Sequence, residues 1–226
     1  MERPLAEPIE DGIFREIDEE LRQENFAKLW KKYGNVVIAA AVVLVVAVGG
    51  YQGWRTYDLN DRAAQGERYA AALQMAQGGS IDLALEELNV LHGEGSAGYR
   101  MLSAFQNASL QSRKGNAADA TAAYGRIADD SGFDILYRDL ARLMAATVLI
   151  NSQATSTEIL DRIKPLDNDS NPWRHGAREL LAVVALRGGD KAKSRDIFKT
   201  LSEDATAPQG IRQRAGEMLA ALGGAQ

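Results

Sequence analysis

The 226-residue sequence predicts an all-α protein, an array of paired helices preceded by one long apolar helix. Three observations predict it. The five prolines stand at 4, 8, 165, 172 and 208, so no helix between residues 9 and 164 is interrupted by a missing N–H. Residues 33–54, YGNVVIAAAVVLVVAVGGYQGW, carry no charged side chain. Beyond them, small and large apolar residues recur in a fixed order at near-equal spacing.

Composition narrows the function classes. Hydrophobic residues make up 46% and charged residues 25%, which suits a chain that buries a core. The net charge of −5 is spread along the sequence and offers no basic surface for nucleic acid. Cysteine is absent, which excludes disulfides and thiolate chemistry and leaves the compartment open.

Residues 1–32 are expected to form an amphipathic cytoplasmic tail. DGIFREIDEELRQENFAKLWKKYG alternates acids with bases and has no breaker before Gly34. Ile13, Ile17 and Leu21 share one face, and Phe26, Leu29, Trp30 and Tyr33 form a second stripe. Such a helix either rests at a membrane interface or docks a membrane partner.

Residues 33–57 are expected to be a transmembrane helix with interfacial flanks. Twenty-two helical residues reach roughly 33 Å, against a hydrocarbon core of about 30 Å. Val36 to Gly50 is a run without one polar side chain, flanked by Trp30 and Tyr33 before it and Tyr51, Trp54 and Tyr57 after it. A cleaved signal peptide fits poorly, because the 32 residues ahead carry nine acids against six bases. Lys28, Lys31 and Lys32 precede the run and only Arg55 closely follows it, which favours residues 1–32 in the cytoplasm. Gly49 and Gly53 have the spacing of a helix-dimerisation pair, but they sit at the end of the span and are read as interfacial glycine.

Residues 58–226 are expected to be a helical-repeat domain of about four helix pairs plus a capping helix. A turn residue is followed by a small residue five positions on, a large apolar one four later, and another three later. The copies read Gly79, Ala84, Leu88, Leu91; Gly115, Ala120, Tyr124, Ile127; Asn151, Ser156, Leu160, Ile163; and Gly189, Ser194, Phe198, Leu201. Seven positions before each turn stand Ala72, Ala108, Met144 and Ala182, placed to meet the small residue of the second helix. The pairs fall at 60–77 with 80–91, 97–113 with 116–129, 133–150 with 153–164, and 172–187 with 190–203. Asn171-Pro172 supplies an N-cap and first-turn proline, and Thr206 with Pro208 opens a final helix near 207–222. No proline separates residues 58–76 from the apolar helix.

This helix-pair template resembles the tetratricopeptide repeat, although the period exceeds 34 and the consensus tryptophan and closing proline are missing. With FREIDEELRQENFAKLWKKYGN ahead of the span, the layout is similar to the bacterial family of ancillary Sec translocon subunits, whose repeat domain is shared with a cell-division coordinator. The resemblance implies a single-span inner-membrane protein with a periplasmic repeat domain. It also implies partners: the Sec translocon and a membrane-anchored chaperone of the prolyl-isomerase type. The function expected is a non-enzymatic protein-interaction scaffold in protein export. The alternatives are a cell-division or envelope coordinator, and a structural membrane oligomeriser that self-associates.

No catalytic, metal or cofactor site is expected. GEGSAG at 93–98 fits G-x-G-x-x-G but follows a helical pattern where a dinucleotide fold needs a strand. DNDSNP at 167–172 begins like a calcium loop, but Pro172 takes the required glycine position and Arg178 that of the bidentate acid. His92 and His175, the only histidines, are expected at the surface or in loops.

The resemblance also suggests a partner groove lined by the first helix of each pair. Its offsets place Tyr69, Leu73, Phe105, Ser109, Arg113, Arg138, Ala145, Val183 and Arg187 on one surface. This set lacks the lysine and asparagine residues by which relatives clamp a terminal carboxylate, and suits an apolar, partly acidic segment of a partner. Tyr69 and Phe105 are equally placed to pack between neighbouring repeats.

Overall fold

The structure is a computed structural model that describes the backbone of residues 7–223, with side chains at 22 and from 24 onward. The proposed face of Ile13, Ile17 and Leu21 lies outside the described side chains. Every secondary-structure element among the described residues is a helix, and the chain divides into two compact units, residues 1–61 and 62–226.

Helix α1 runs from Glu7 to Gln77 without a break. In the first unit its valines and leucine from Val36 to Val48 are exposed on every side. Residues 24–77 include a stretch long and apolar enough to cross a membrane. An apolar surface all round a helix suits a buried core or a bilayer, and here none of the described residues covers it. Phe26 and Trp30 stack at 6.2 Å, one turn apart.

The second unit holds the end of α1 and eight further helices: α2 (Ile81–Glu94), α3 (Ala97–Arg113), α4 (Ala117–Asp129), α5 (Ile135–Ile150), α6 (Ser156–Ile163), α7 (Arg174–Arg187), α8 (Lys191–Glu203) and α9 (Gln209–Ala221). A 3-10 turn, Lys164–Leu166, follows α6. The end of α1 shares a core cluster with α2, each later helix packs on the next, and α5 with α7 and α7 with α9 also touch.

Three of the four connections within pairs share one construction. Gly79, Gly115 and Gly189 adopt φ of +88°, +82° and +86°, a conformation that costs a residue with a Cβ about 1–2 kcal/mol. The next residue's N–H then reaches five residues back: Ser80 to Met75 O, Asn116 to Gln111 O, and Asp190 to Ala185 O. These bonds satisfy carbonyls at the end of one helix while the same residue opens the next.

The third connection departs from this plan and corrects the expected register. Asn151 has φ −93°, and the chain runs on to Thr155, which opens α6 with a capping box to Glu158. Counted from the opening residue, the three core positions of the second helix, the third of them in the 3-10 turn after α6 for the third pair, are Ala84, Leu88, Leu91; Ala120, Tyr124, Ile127; Ile159, Ile163, Leu166; and Ser194, Phe198, Leu201, all buried. Ser156 and Leu160 are therefore half-buried rather than core. The small residue of the first helix without exposed surface is Ala145, where Met144 was expected, giving the series Ala72, Ala108, Ala145 and Ala182. Every one stands five residues before its helix ends. The small position of α6 is instead an isoleucine, Ile159, which shares a core cluster with Ala146 of α5 and Ala177 of α7.

Two further expectations shift. Helix α7 begins at Arg174 with Trp173 as its cap residue, because Asn171 Oδ1 accepts from the Trp173 N–H and closes a turn first. Pro208 occupies the position before α9. The GEGSAG segment is a two-residue joint, Gly95 and Ser96, between α2 and α3. A Cβ at Gly95 would lie 2.4 Å from Leu91 O, so only glycine fits there.

Candidate functional site

The first helices of the last two pairs and α9 stand side by side, and the face they share contains a hollow of about 450 Å³. Its walls are Leu143, Met144 and Thr147 from α5, Trp173, Gly176, Glu179 and Leu180 around α7, and Ile211 with Arg214 from α9. Gly176 lies close under α5: a Cβ there would lie 2.9 Å from Leu143 Cδ2 and would push that leucine's end aside.

Charge in the hollow is internally matched. Arg214 donates from Nε and Nη2 to the two oxygens of Glu179, at 2.7 and 2.8 Å. This two-pronged pair spans α7 and α9, and the remaining lining is mostly apolar, with Thr147 and His175 its other polar side chains. Trp173 Nε1 donates to Leu136 O at 2.8 Å, which anchors the indole at the rim.

Beneath the hollow lies His175, buried on α7 rather than at the surface as its sequence position suggested. Its Nε2 is 3.1 Å from Asp204 Oδ2 and 3.2 Å from Thr206 Oγ1. Asp204 also accepts from the Thr206 hydroxyl and N–H, at 2.7 and 2.8 Å. Those two bonds, assisted by His175, hold its carboxyl at a pKa of about 2. The trio combines a hydroxyl, an imidazole and a carboxylate, but it cannot act as a catalytic triad. Hydroxyl and acid meet the same ring nitrogen, whereas a relay needs them on opposite ones. The trio instead ties the α8–α9 connection to α7.

The calcium-like loop is closed by an arginine. Arg178 Nε donates to Asp167 at 2.8 Å and its Nη2 to Asp169 at 2.7 Å. Asn171 donates to Asp139, which also pairs with Arg142. Among the described residues no cluster of three or more His, Asp or Glu is placed to hold a metal ion. His92 is exposed on α2, its Nδ1 3.1 Å from Arg100 O.

The predicted groove residues are distributed over three core clusters. Tyr69 packs half-buried on the first and tilts against Tyr99 at 6.2 Å, with Leu73 half-buried nearby in sequence. Phe105 packs on the second and tilts against Tyr124 at 6.1 Å, and Ser109 bonds the Tyr124 hydroxyl. Arg138 donates from Nε to Ala128 O at 2.9 Å, satisfying the end of α4. Val183 is half-buried against the last cluster. Arg113 and Arg187 are exposed, and Arg187 reaches Ser152 O at 3.3 Å. Ala145 is a correction: it has no exposed surface, because it packs in the second core cluster with Ala108, Tyr124 and Ala141.

None of these nine residues lines the hollow, whereas Gly176, Glu179 and Arg214 do. One signal in the sequence points to the last two. Opposite charges at 179 and 214 stand 35 residues apart, about one repeat, and first helices of adjacent pairs are neighbours.

Stacked helix pairs presenting a largely apolar hollow, with no reactive constellation among the described residues, define a helical-repeat scaffold of the kind that binds other proteins. The tetratricopeptide repeat-like domain family matches residues 27–213, and the chain belongs to that family. No curated protein and no solved structure matches it.

Proposed function

We propose that this protein is a membrane-anchored scaffold of the bacterial inner membrane, with residues 1–32 cytoplasmic and the repeat unit periplasmic. The observation that carries the reading is an apolar helix uncovered on all sides in the same chain as a tetratricopeptide-like array. Lys28, Lys31 and Lys32 ahead of the span support the orientation. The hollow on α5, α7 and α9 takes an apolar segment of a protein partner, and exposed Arg113 and Arg187 meet its acidic residues. The full-chain layout supports the Sec translocon and a membrane-anchored prolyl-isomerase-type chaperone as partners.

A photo-crosslinker at exposed Thr147 of the full chain in its membrane tests this. Adducts to translocon or periplasmic chaperone subunits are expected, with none from the same probe at Ala118. Adducts to division proteins would favour envelope coordination, and adducts only between copies would favour an oligomeriser. Protease added to spheroplasts should cut beyond about residue 60 and spare the tail; the converse would withdraw the periplasmic assignment.

A further inference from the structure

Helix α2 differs from the other second helices on its outward face. Three residues after each opening residue stand Leu83, Asp119, Glu158 and Lys193; ten after stand Val90, Arg126, Pro165 and Thr200. All are exposed, and only α2 has large apolar side chains at both places. Leu83 is 56% exposed and Val90 39%. Glu86 lies between them on the same face and has no ion-pair partner among the described residues. The other acids of α2 are engaged: Asp82 pairs with Lys114, and Glu87 and Glu94 with Arg68. An exposed apolar pair with one free carboxylate is therefore a local feature, not a repeat property.

A complementary surface exists at the other end of the array. Helix α6 has only eight residues where α8 has thirteen, and the 3-10 turn then leads the chain away. The gap so opened between α6 and α8 has a volume of about 660 Å³. Its floor is Leu160, Leu181 and Ile197, and its rim carries Lys164, Lys193 and Asp196. Asp167 is already paired with Arg178, so free positive charge exceeds free negative charge at the rim. The α8 wall from Lys193 to Thr200 spans seven residues, about 10 Å, the same as Leu83 to Val90 on α2.

We propose that a second copy of this chain docks α2 into this groove, with Leu83 and Val90 on the apolar floor and Glu86 at the lysine rim. The two faces belong to different repeats of one chain, so the contact is head to tail and can extend from copy to copy. Both surfaces arise where the sequence leaves its own repeat pattern, α2 by gaining apolar residues and α6 by ending early. The partner groove on α5, α7 and α9 is a separate surface and stays open in such an assembly.

The cysteine-free sequence permits a direct test on the full chain in membranes. One variant carries Glu86→Cys and another Lys193→Cys, both at exposed positions. Under mild oxidation the mixture should yield a disulfide-linked pair, while either variant alone remains single. Adding Leu83→Asp to the first should lower that yield roughly tenfold or more, because a carboxylate replaces a buried leucine. No linked pair in the mixture, equal linkage of either variant alone, or a yield indifferent to Leu83→Asp would each overturn the proposal.

Discussion

Asp204 shows how much one residue organises. Its carboxylate closes the α8–α9 turn on Thr206 and touches the buried His175, and its pKa falls from the ordinary 3.8 to about 2. A depressed carboxylate pKa stabilises the fold above the unfolded value and ceases to do so as pH falls through the folded one. The stabilisation is therefore complete above about pH 5 and is lost between about pH 4 and 2. Asp204→Asn should melt lower than the parent at neutral pH, and the two melting curves should converge toward pH 2. A gap that stayed constant across that range would show that the charge contributes nothing. His175 was not legible as a buried residue. Histidine is intermediate in burial preference, and the partners that satisfy it lie 29 and 31 residues away.

Among elements, the decisive contact is the crossing of the two helices in each pair. Ala108 and Ala120 of the second pair, and Ala182 and Ser194 of the fourth, have no exposed surface. Ala120→Leu and Ala182→Leu should each overpack a crossing and destabilise the repeat unit by about 1–3 kcal/mol. Leu at exposed Ala118 should change the melting temperature little. Equal effects of all three in thermal melts would refute the register. That register was readable for three pairs because a left-handed glycine marks each turn. In the third pair Asn151 imitates such a marker, and the actual opening residue lies four positions further on at Thr155. A capping box could have revealed it, since Thr155 and Glu158 have the required spacing.

On the scale of the whole molecule, the apolar helix and the repeat unit obey different solvents. Val42 and Val45 stand mid-run, exposed by more than half, in the stretch suited to a bilayer. Replacing both with arginine should cost about 2.5–3.5 kcal/mol each at a bilayer centre and release the protein from alkali-washed membranes. Retention of that variant would argue against a spanning helix.

The sequence by itself determined the all-helical class, the apolar helix, and the existence and order of the helix pairs. Each of these follows from local periodicity, missing prolines and turn glycines, which need no knowledge of distant residues. Only the tertiary structure decided which face each residue serves. Ala145 entered the core, Tyr69 and Phe105 packed onto repeat clusters, and Glu179 joined Arg214 across two helices. A slip of one residue turns a helix by about 100° and exchanges a groove position for a core one. The physical reason is that a helix fixes the angle between its own side chains, whereas its rotation toward a neighbour is set by the volumes that must interlock between them.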